Sequence, residues 1–388
     1  MAYYFIFPQK DATIYSHPDR TKLNTGHDEI LEIVKEKGSS DQRYYPSRAL
    51  IQFSNEDIKD TISNKIGSPI FNSGINDGNT QVDLQLFTTQ HQNLAPTLNL
   101  EVFAISQSWN EGTGRFSNLP TSSNGCSWIF TDNDINKTQW FTSSFAPGTT
   151  GSINALGITQ GGGSWYTGSG FQGSQQFLQG DVLDTNINVT EIVQKFSVSL
   201  FANTTYPSGI PNNGFIIKNP DSVETDTSRS MGELKYFSVD SHTIYPPRLA
   251  FKWDDSVHSS QSLAKQKGEL SVSLYRNREE YNQNDEAIFR VHVRDKYPTR
   301  QFTSSSNFLN VGYFTTSSFY SIRDAHTEQE IIPFDNKFTK LSADSDGMFF
   351  KIFMKGLQPE RYYRVLFKHT NNEGTKVYDS NYHFKVVR

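Results

Sequence analysis

A single cysteine, Cys126, stands in a chain of 388 residues, which excludes an internal disulfide framework and any cysteine-built zinc cluster. Neither sign of charge dominates. There are 36 Lys and Arg against 41 Asp and Glu, a formal net charge of −5, and no basic block, so no nucleic-acid partner is expected. No run approaches the ~18 apolar residues that a membrane-crossing helix needs, so no membrane insertion is expected either. The opening MAYYFIFPQKDATIY has no basic segment, apolar core and small-residue cleavage site in series. It reads as strand from its second residue, and the expectation is a protein made in a reducing cytoplasm. The chain also lacks a GxSxG elbow, an HExxH pair, a P-loop and a GxGxxG turn opening a helix. Its nine histidines are scattered, none four residues from another on a plausible helix. No catalytic residues and no enzyme activity are expected.

Aromatic residues are what the chain does have, at 13%, in a background where only 35% of residues are hydrophobic and Gly, Ser, Thr and Asn abound. Aromatic and β-branched side chains suit a pleated, half-buried surface, so the expected fold class is all-β with long polar loops. Strand-like runs bear this out along the first half: YYFIF, DEILEIVKE, SRALIQFS, TQVDLQLFTT and TLNLEVFAIS. In the last, Leu98, Leu100, Val102 and Ala104 alternate with Asn99, Glu101, Phe103 and Ile105. Two short helices are predicted, one capped by Ser54 in SNEDIKDTISNKI and one of about two turns capped by Thr190 in NVTEIVQKF.

The predicted organisation is a β-sandwich over 1–253, interrupted by a Gly- and Ser-rich insertion at 110–180. A polar linker at 254–268 follows, then a second β domain at 269–388. In the last segment ELSVSLYRN, AIFRVHVRD, FFKIFMKGL, YYRVLFKHT and YHFKVVR suggest an immunoglobulin-like or fibronectin-III-like sandwich. GLQPERYYRVLF resembles the corner that fibronectin-III domains close with a tyrosine hydroxyl, which nominates Tyr362.

Four of the five tryptophans lie in or beside the insertion. Trp128, Trp140, Trp165 and Tyr166 could stack on sugar rings, with nearby amides and carboxylates holding hydroxyls. They could equally pack inside long loops or against a neighbouring subunit, since interfaces favour the same amphipathic rings. Residue chemistry alone leaves both readings standing. No metal ligands and no cofactor are assigned. TGHDEILEI and TDNDIN carry oxygen ligands suited to a structural Ca²⁺, but Asp132, Asn133 and Asp134 lack EF-hand spacing, and a solvated acidic turn is the preferred reading.

Five stretches in order, DATIYSHPDRTKLNTGHDEILEI, SRALIQFS, LEVFAISQSWNEGTGRF, INVTEIVQKF and NNGFIIK, resemble the DNRLRE-type β-sandwich related to carbohydrate-binding modules. The resemblance covers residues 10–253 and implies a jelly-roll. NGCSWIF, GGGSWYTGSGF and YFSVDSHTIYPP are similar to structural proteins of tailed phages of the marine cyanophage myovirus type, with Val239 where that group usually has Arg. What the resemblance implies is a virion protein assembled in the bacterial cytoplasm, partnered by other virion subunits and by copies of itself. Tail, baseplate and neck are the expected positions; an adhesin binding host surface polysaccharide is the alternative. In the matched pattern Trp109 ends a core strand and plugs the sandwich edge, with Glu111 and Arg115 available to pair across the following turn.

Overall fold

The computed structural model describes residues 2–67, 79–118, 124–140, 149–150, 161–201, 209–230, 232–258, 269–297, 312–314, 317–371 and 374–388. They form a mostly β protein whose strands pair almost entirely antiparallel. The chain separates into two compact units, Ile6–Ala250 and Met1–Phe5 with Phe251–Arg388. The division falls inside the strands Ala2–Ile6 and Arg248–Trp253. Most of the linker segment, 259–268, lies outside the described residues. Residues before it are tied down: the Ala343 N–H donates to the Val257 carbonyl at 2.9 Å.

The unit Ile6–Ala250 is built on a six-stranded sheet. Its order runs Gln172–Leu178, Thr97–Ala104, Phe215–Lys218, Tyr44–Phe53, Pro8–Tyr15, with Lys35–Lys37 pairing beside Tyr44–Phe53. Apolar residues decide which strands are central: Tyr44–Phe53 and Phe215–Lys218 are buried along nearly their whole length. That continuous burial matches runs such as ALIQF and FIIK, which read as core rather than as one-sided strands. In the same unit Thr80–Leu86 pairs with Thr185–Asn188, and Ile30–Ile33, Glu233–Phe237 and Thr88–Gln92 make a three-stranded sheet. DEILEIVKE is thus two strands, Ile30–Ile33 and Lys35–Lys37, which pair with different partners.

The first predicted helix forms as Asn55–Asp60, with the Ser54 hydroxyl accepting from the Glu56 and Asp57 N–H groups at 3.2 and 3.4 Å. It continues as wider π-type turns over Thr61–Gly67. The second runs over Thr190–Leu200, longer than two turns, and its cap differs from the expectation. Thr190 is the first helical residue. Its N–H and hydroxyl both donate to Asn188 Oδ1, at 3.0 and 2.7 Å, and its hydroxyl also accepts from the Val82 N–H at 2.9 Å. Asn188, before the cap residue Val189, accepts from the first helical N–H, and Thr190 bonds the helix to the sheet. A third helix, Asp221–Thr225, has no amphipathic repeat to announce it.

The insertion is less irregular than its composition suggests. It holds the full-length strand Gln172–Leu178 and the short strands Phe130–Asp132, Thr138–Gln139, Thr149–Thr150 and Trp165–Tyr166. Residues 119–123, 141–148 and 151–160 lie outside the described residues.

The unit containing Phe251–Arg388 has two sheets. One orders Leu270–Tyr275, Glu286–Asp295, Gly347–Phe353, Ser342–Asp344; the other orders Glu280–Asn282, Gly374–Val387, Arg361–Asn371, Ser318–Asp324, Glu330–Ile332. Rings from both meet between them. Phe350 of the first stacks on Tyr320 of the second at 4.4 Å, and Phe289 approaches Phe384 at 5.2 Å. Such ring pairs contribute beyond their buried area. Of the adjacent tyrosines it is Tyr363, not Tyr362, whose hydroxyl turns back onto the chain. Tyr363 is buried and its hydroxyl donates to the Gln358 carbonyl at 2.8 Å, whereas Tyr362 is 45% exposed. Strand alternation sends one of two adjacent tyrosines inward, and the pairing of Tyr363 with Phe384 selects which.

Candidate functional site

Trp109, Trp128, Trp140 and Trp165 are all buried, between 2% and 5% exposed, and share one cluster with Ile14, Leu50, Cys126 and Ile216. The structure therefore removes the aromatic sugar platform as a surface feature. Trp128, Trp140 and Trp165 offer no free face to a ring of a ligand. Two of the four indoles spend their N–H inside the fold, Trp140 Nε1 donating to the Ser127 carbonyl at 2.8 Å and Trp109 Nε1 to the Asn213 carbonyl at 2.9 Å, while Trp128 Nε1 is buried with no hydrogen-bond partner among the described residues. Tyr166 is half-buried and stacks on Phe171 at 5.4 Å. Cys126 sits in the same cluster, and burial pushes its thiol well above the usual range.

At the centre of the cluster is a charge that the sequence reading passed over. Arg48, inward-facing on Tyr44–Phe53, lies between the rings of Trp128 and Trp165, 4.7 and 5.1 Å from their centroids. Its Nε and Nη2 grip both oxygens of Glu224 at 3.2 and 2.6 Å, and Nη1 donates to the Gly162 carbonyl. Gly162 takes φ +88°, and a Cβ there would stand 2.6 Å from Nη1 and 2.8 Å from Trp128, so only glycine lets the loop close on the guanidinium. Lys218, equally buried, pairs with Asp221 at 2.7 Å and Glu101 at 3.6 Å. Lys35 donates to the carbonyls of Val223 and Asp226. The short Asp221–Thr225 helix is thereby held by three buried cations. Chemically this is a closed lock, because the guanidinium meets a carboxylate, a carbonyl and two rings. The signals were an Arg inside the apolar run SRALIQF and a Lys ending FIIK.

A second knot joins the strand Pro8–Tyr15 to the WNEGTGRF turn. The Asp11 N–H donates to Glu111 Oε1 at 3.0 Å, while the Asp11 carboxylate accepts from the Ser238 hydroxyl at 2.9 Å and the Val239 N–H at 2.8 Å. Burial is the main cause that raises this carboxyl to about 7. Asn24 Nδ2 donates to the carbonyls of Glu111 and Cys126 at 2.6 and 2.9 Å, and Asn24 Oδ1 accepts from the Gly114 N–H at 2.7 Å. The Lys10 ammonium lies 4.3 Å from the Trp109 ring centroid. Trp109 is thus buried in the tryptophan cluster, and Glu111 serves Asp11 rather than Arg115. Arg115 lies close enough to Asp28 to favour its charged form.

Arg115 and Asp28 line a groove of about 430 Å³ with Tyr15, Glu29, Glu32 and Phe116. The Tyr15 hydroxyl donates to Glu32 Oε2 at 2.8 Å, and Lys235 pairs with Glu32 Oε1 at 2.6 Å. The Phe116 N–H donates to Asp28 at 3.0 Å; desolvation nonetheless raises the Asp28 carboxyl to about 6. The groove can offer charged hydrogen-bonding groups beside an aromatic edge to a polar ligand.

In TDNDIN both oxygens of Asp132 are engaged, accepting from the Gly125 N–H at 3.0 Å and Asn110 Nδ2 at 2.9 Å. Asp134 accepts from the Asn136 N–H at 2.8 Å, a local turn. Among the described residues no group of three His, Cys, Asp or Glu side chains is arranged to hold a metal ion. No protein-family model matches the chain, and no curated protein matches it in sequence.

Proposed function

We propose that this chain is a non-enzymatic structural subunit of a tailed-phage virion, placed in the tail, baseplate or neck and acting through protein–protein contacts. The observation that carries the non-catalytic part is the Arg48 lock. The tryptophans and the Arg48–Glu224 pair are used inside the fold, so recognition falls to surface features. The phage assignment rests on the resemblance of NGCSWIF, GGGSWYTGSGF and YFSVDSHTIYPP to virion proteins. Within this reading Ile6–Ala250 is a jelly-roll-like module and the Phe251–Arg388 portion an immunoglobulin- or fibronectin-III-like one. The hydroxyl of Tyr363 on Gln358 supports the latter.

The test is to locate the chain in purified particles by mass spectrometry and cryo-electron microscopy. Density for it at a symmetric position, in contact with neighbouring subunits, is the expected result. Particles that lack the chain would sink the proposal.

A second reading, a carbohydrate-binding adhesin, is favoured by the groove at Asp28, Glu32, Arg115 and Phe116 rather than by the tryptophans. Glycan-array binding by the full chain, lost in Arg115→Ala, is its signature. Binding unaffected by Arg115→Ala counts against the groove.

A further inference from the structure

The seven-residue strand Gln172–Leu178 ends the six-stranded sheet, paired among the described residues only with Thr97–Ala104. The bond from the Ala104 N–H to the Phe171 carbonyl, 3.2 Å, sets the parity of the ladder. Gly173, Gln175 and Phe177 turn their backbone groups inward to Thr97–Ala104; Gln172, Ser174, Gln176 and Leu178 turn theirs outward. Leu178 is satisfied by a turn, its N–H donating to Asp181 Oδ2 at 2.8 Å and its carbonyl accepting from the Asp181 N–H at 3.1 Å. The outward groups of Gln172, Ser174 and Gln176 meet no partner among the described residues.

Sheets commonly blunt such an edge with lysine, proline or a bulge, because a bare ladder templates further pairing. QGSQQFL has no charge and no proline, and its register is unbroken. Two other edges of the unit are guarded. Pro8–Tyr15 begins with proline and carries a register shift at Pro8/Lys10. On Thr185–Asn188 the Asn186 N–H is capped by Gln175 Oε1 at 2.6 Å.

We infer that Gln172–Leu178 pairs antiparallel with the same strand of a second copy of this chain, about a two-fold axis through Ser174. The strand is its own complement in that register. Gln172 faces Gln176 of the second copy, Ser174 faces Ser174, and the outward groups supply about six backbone hydrogen bonds. The side chains of Gln172, Ser174 and Gln176 are exposed and form amide and hydroxyl pairs on one face. Leu178 and Val182, 57% and 77% exposed, lie at the end of the strand and in the turn after it, and add apolar area. The contact is isologous and closes as a dimer, joining two sheets into one. It deepens the reading of a subunit that works by contact, and rests on it.

Sedimentation velocity on the full chain over a range of concentrations tests the pairing. A monomer–dimer equilibrium is expected, and Ser174→Lys, which sets like charges face to face, weakens it by at least about tenfold. Ser174→Glu does the same, and mixing the two variants restores a heterodimer. Unchanged circular dichroism shows that the variants fold. A dimer indifferent to Ser174→Lys overturns the edge pairing while leaving the subunit role to be judged on particles. A chain monomeric at every concentration overturns the pairing as well.

Discussion

Arg48 and Glu224, 176 residues apart in sequence, meet at 2.6 Å between Nη2 and Oε2 with their side chains 2% and 1% exposed. A pair so far from solvent is stabilising only while both members stay, because each alone is an uncompensated buried charge.

Arg48→Met is therefore expected to cost about 3–5 kcal/mol. Arg48→Lys recovers little, since an ammonium cannot grip both carboxylate oxygens and stack between two rings. The double change Arg48→Met with Glu224→Leu restores much of the loss. Urea unfolding followed by tryptophan fluorescence reads all three; a single Arg48→Met that unfolds at the wild-type midpoint contradicts the lock.

Trp109→Ala should destabilise the same unit by roughly 3–5 kcal/mol, as a large buried ring whose site cannot collapse. The measurement is the melting temperature. An unchanged value, together with loss of affinity for some ligand, would reverse the assignment of Trp109 as a plug.

Asp11 gives the stability a pH dependence of definite sign. Its carboxyl is raised from an ordinary 3.8 to about 7, first by burial and against the bonds from Val239 and Ser238. Between those values the folded protein holds a proton that the unfolded chain has released, so stability falls as pH rises through this window and levels off above it. Asp28, raised to about 6, acts in the same direction. Within the window the contribution of Asp11 changes by about 1.4 kcal/mol per pH unit. Asp11→Asn should flatten the profile of unfolding midpoint against pH, and parallel profiles for wild type and variant would refute the assignment.

Tyr363→Phe removes the hydroxyl that closes the Gln358 corner and should cost about 1 kcal/mol. Tyr362→Phe, on an exposed ring, should stay within about 0.5 kcal/mol. Thermal unfolding of the two variants decides between the adjacent tyrosines.

The all-β class and the strands were readable because apolar alternation survives in runs such as LNLEVFA. The Ser54 cap was readable because its chemistry is local. Gln172–Leu178 was hidden because Gln, Gly and Ser carry no strand period, and its pairing depends on a strand far away in sequence, with Gln175 opposite Leu100. The tryptophans were visible as residues but not as core, since an indole reads the same whether it faces a sugar or Arg48. What decides between them is the glycine loop at Gly162 closing over the guanidinium, a contact across 114 residues that no local pattern encodes.

Cys126 has a practical consequence. Its thiol is sealed in the tryptophan cluster and held protonated, so thiol-directed reagents reach it only when that core opens. The rate at which a reagent in excess modifies the native protein is then a clock for the opening of this unit, needing no engineered probe. Substitutions at Arg48 or Trp109 should make that clock run faster.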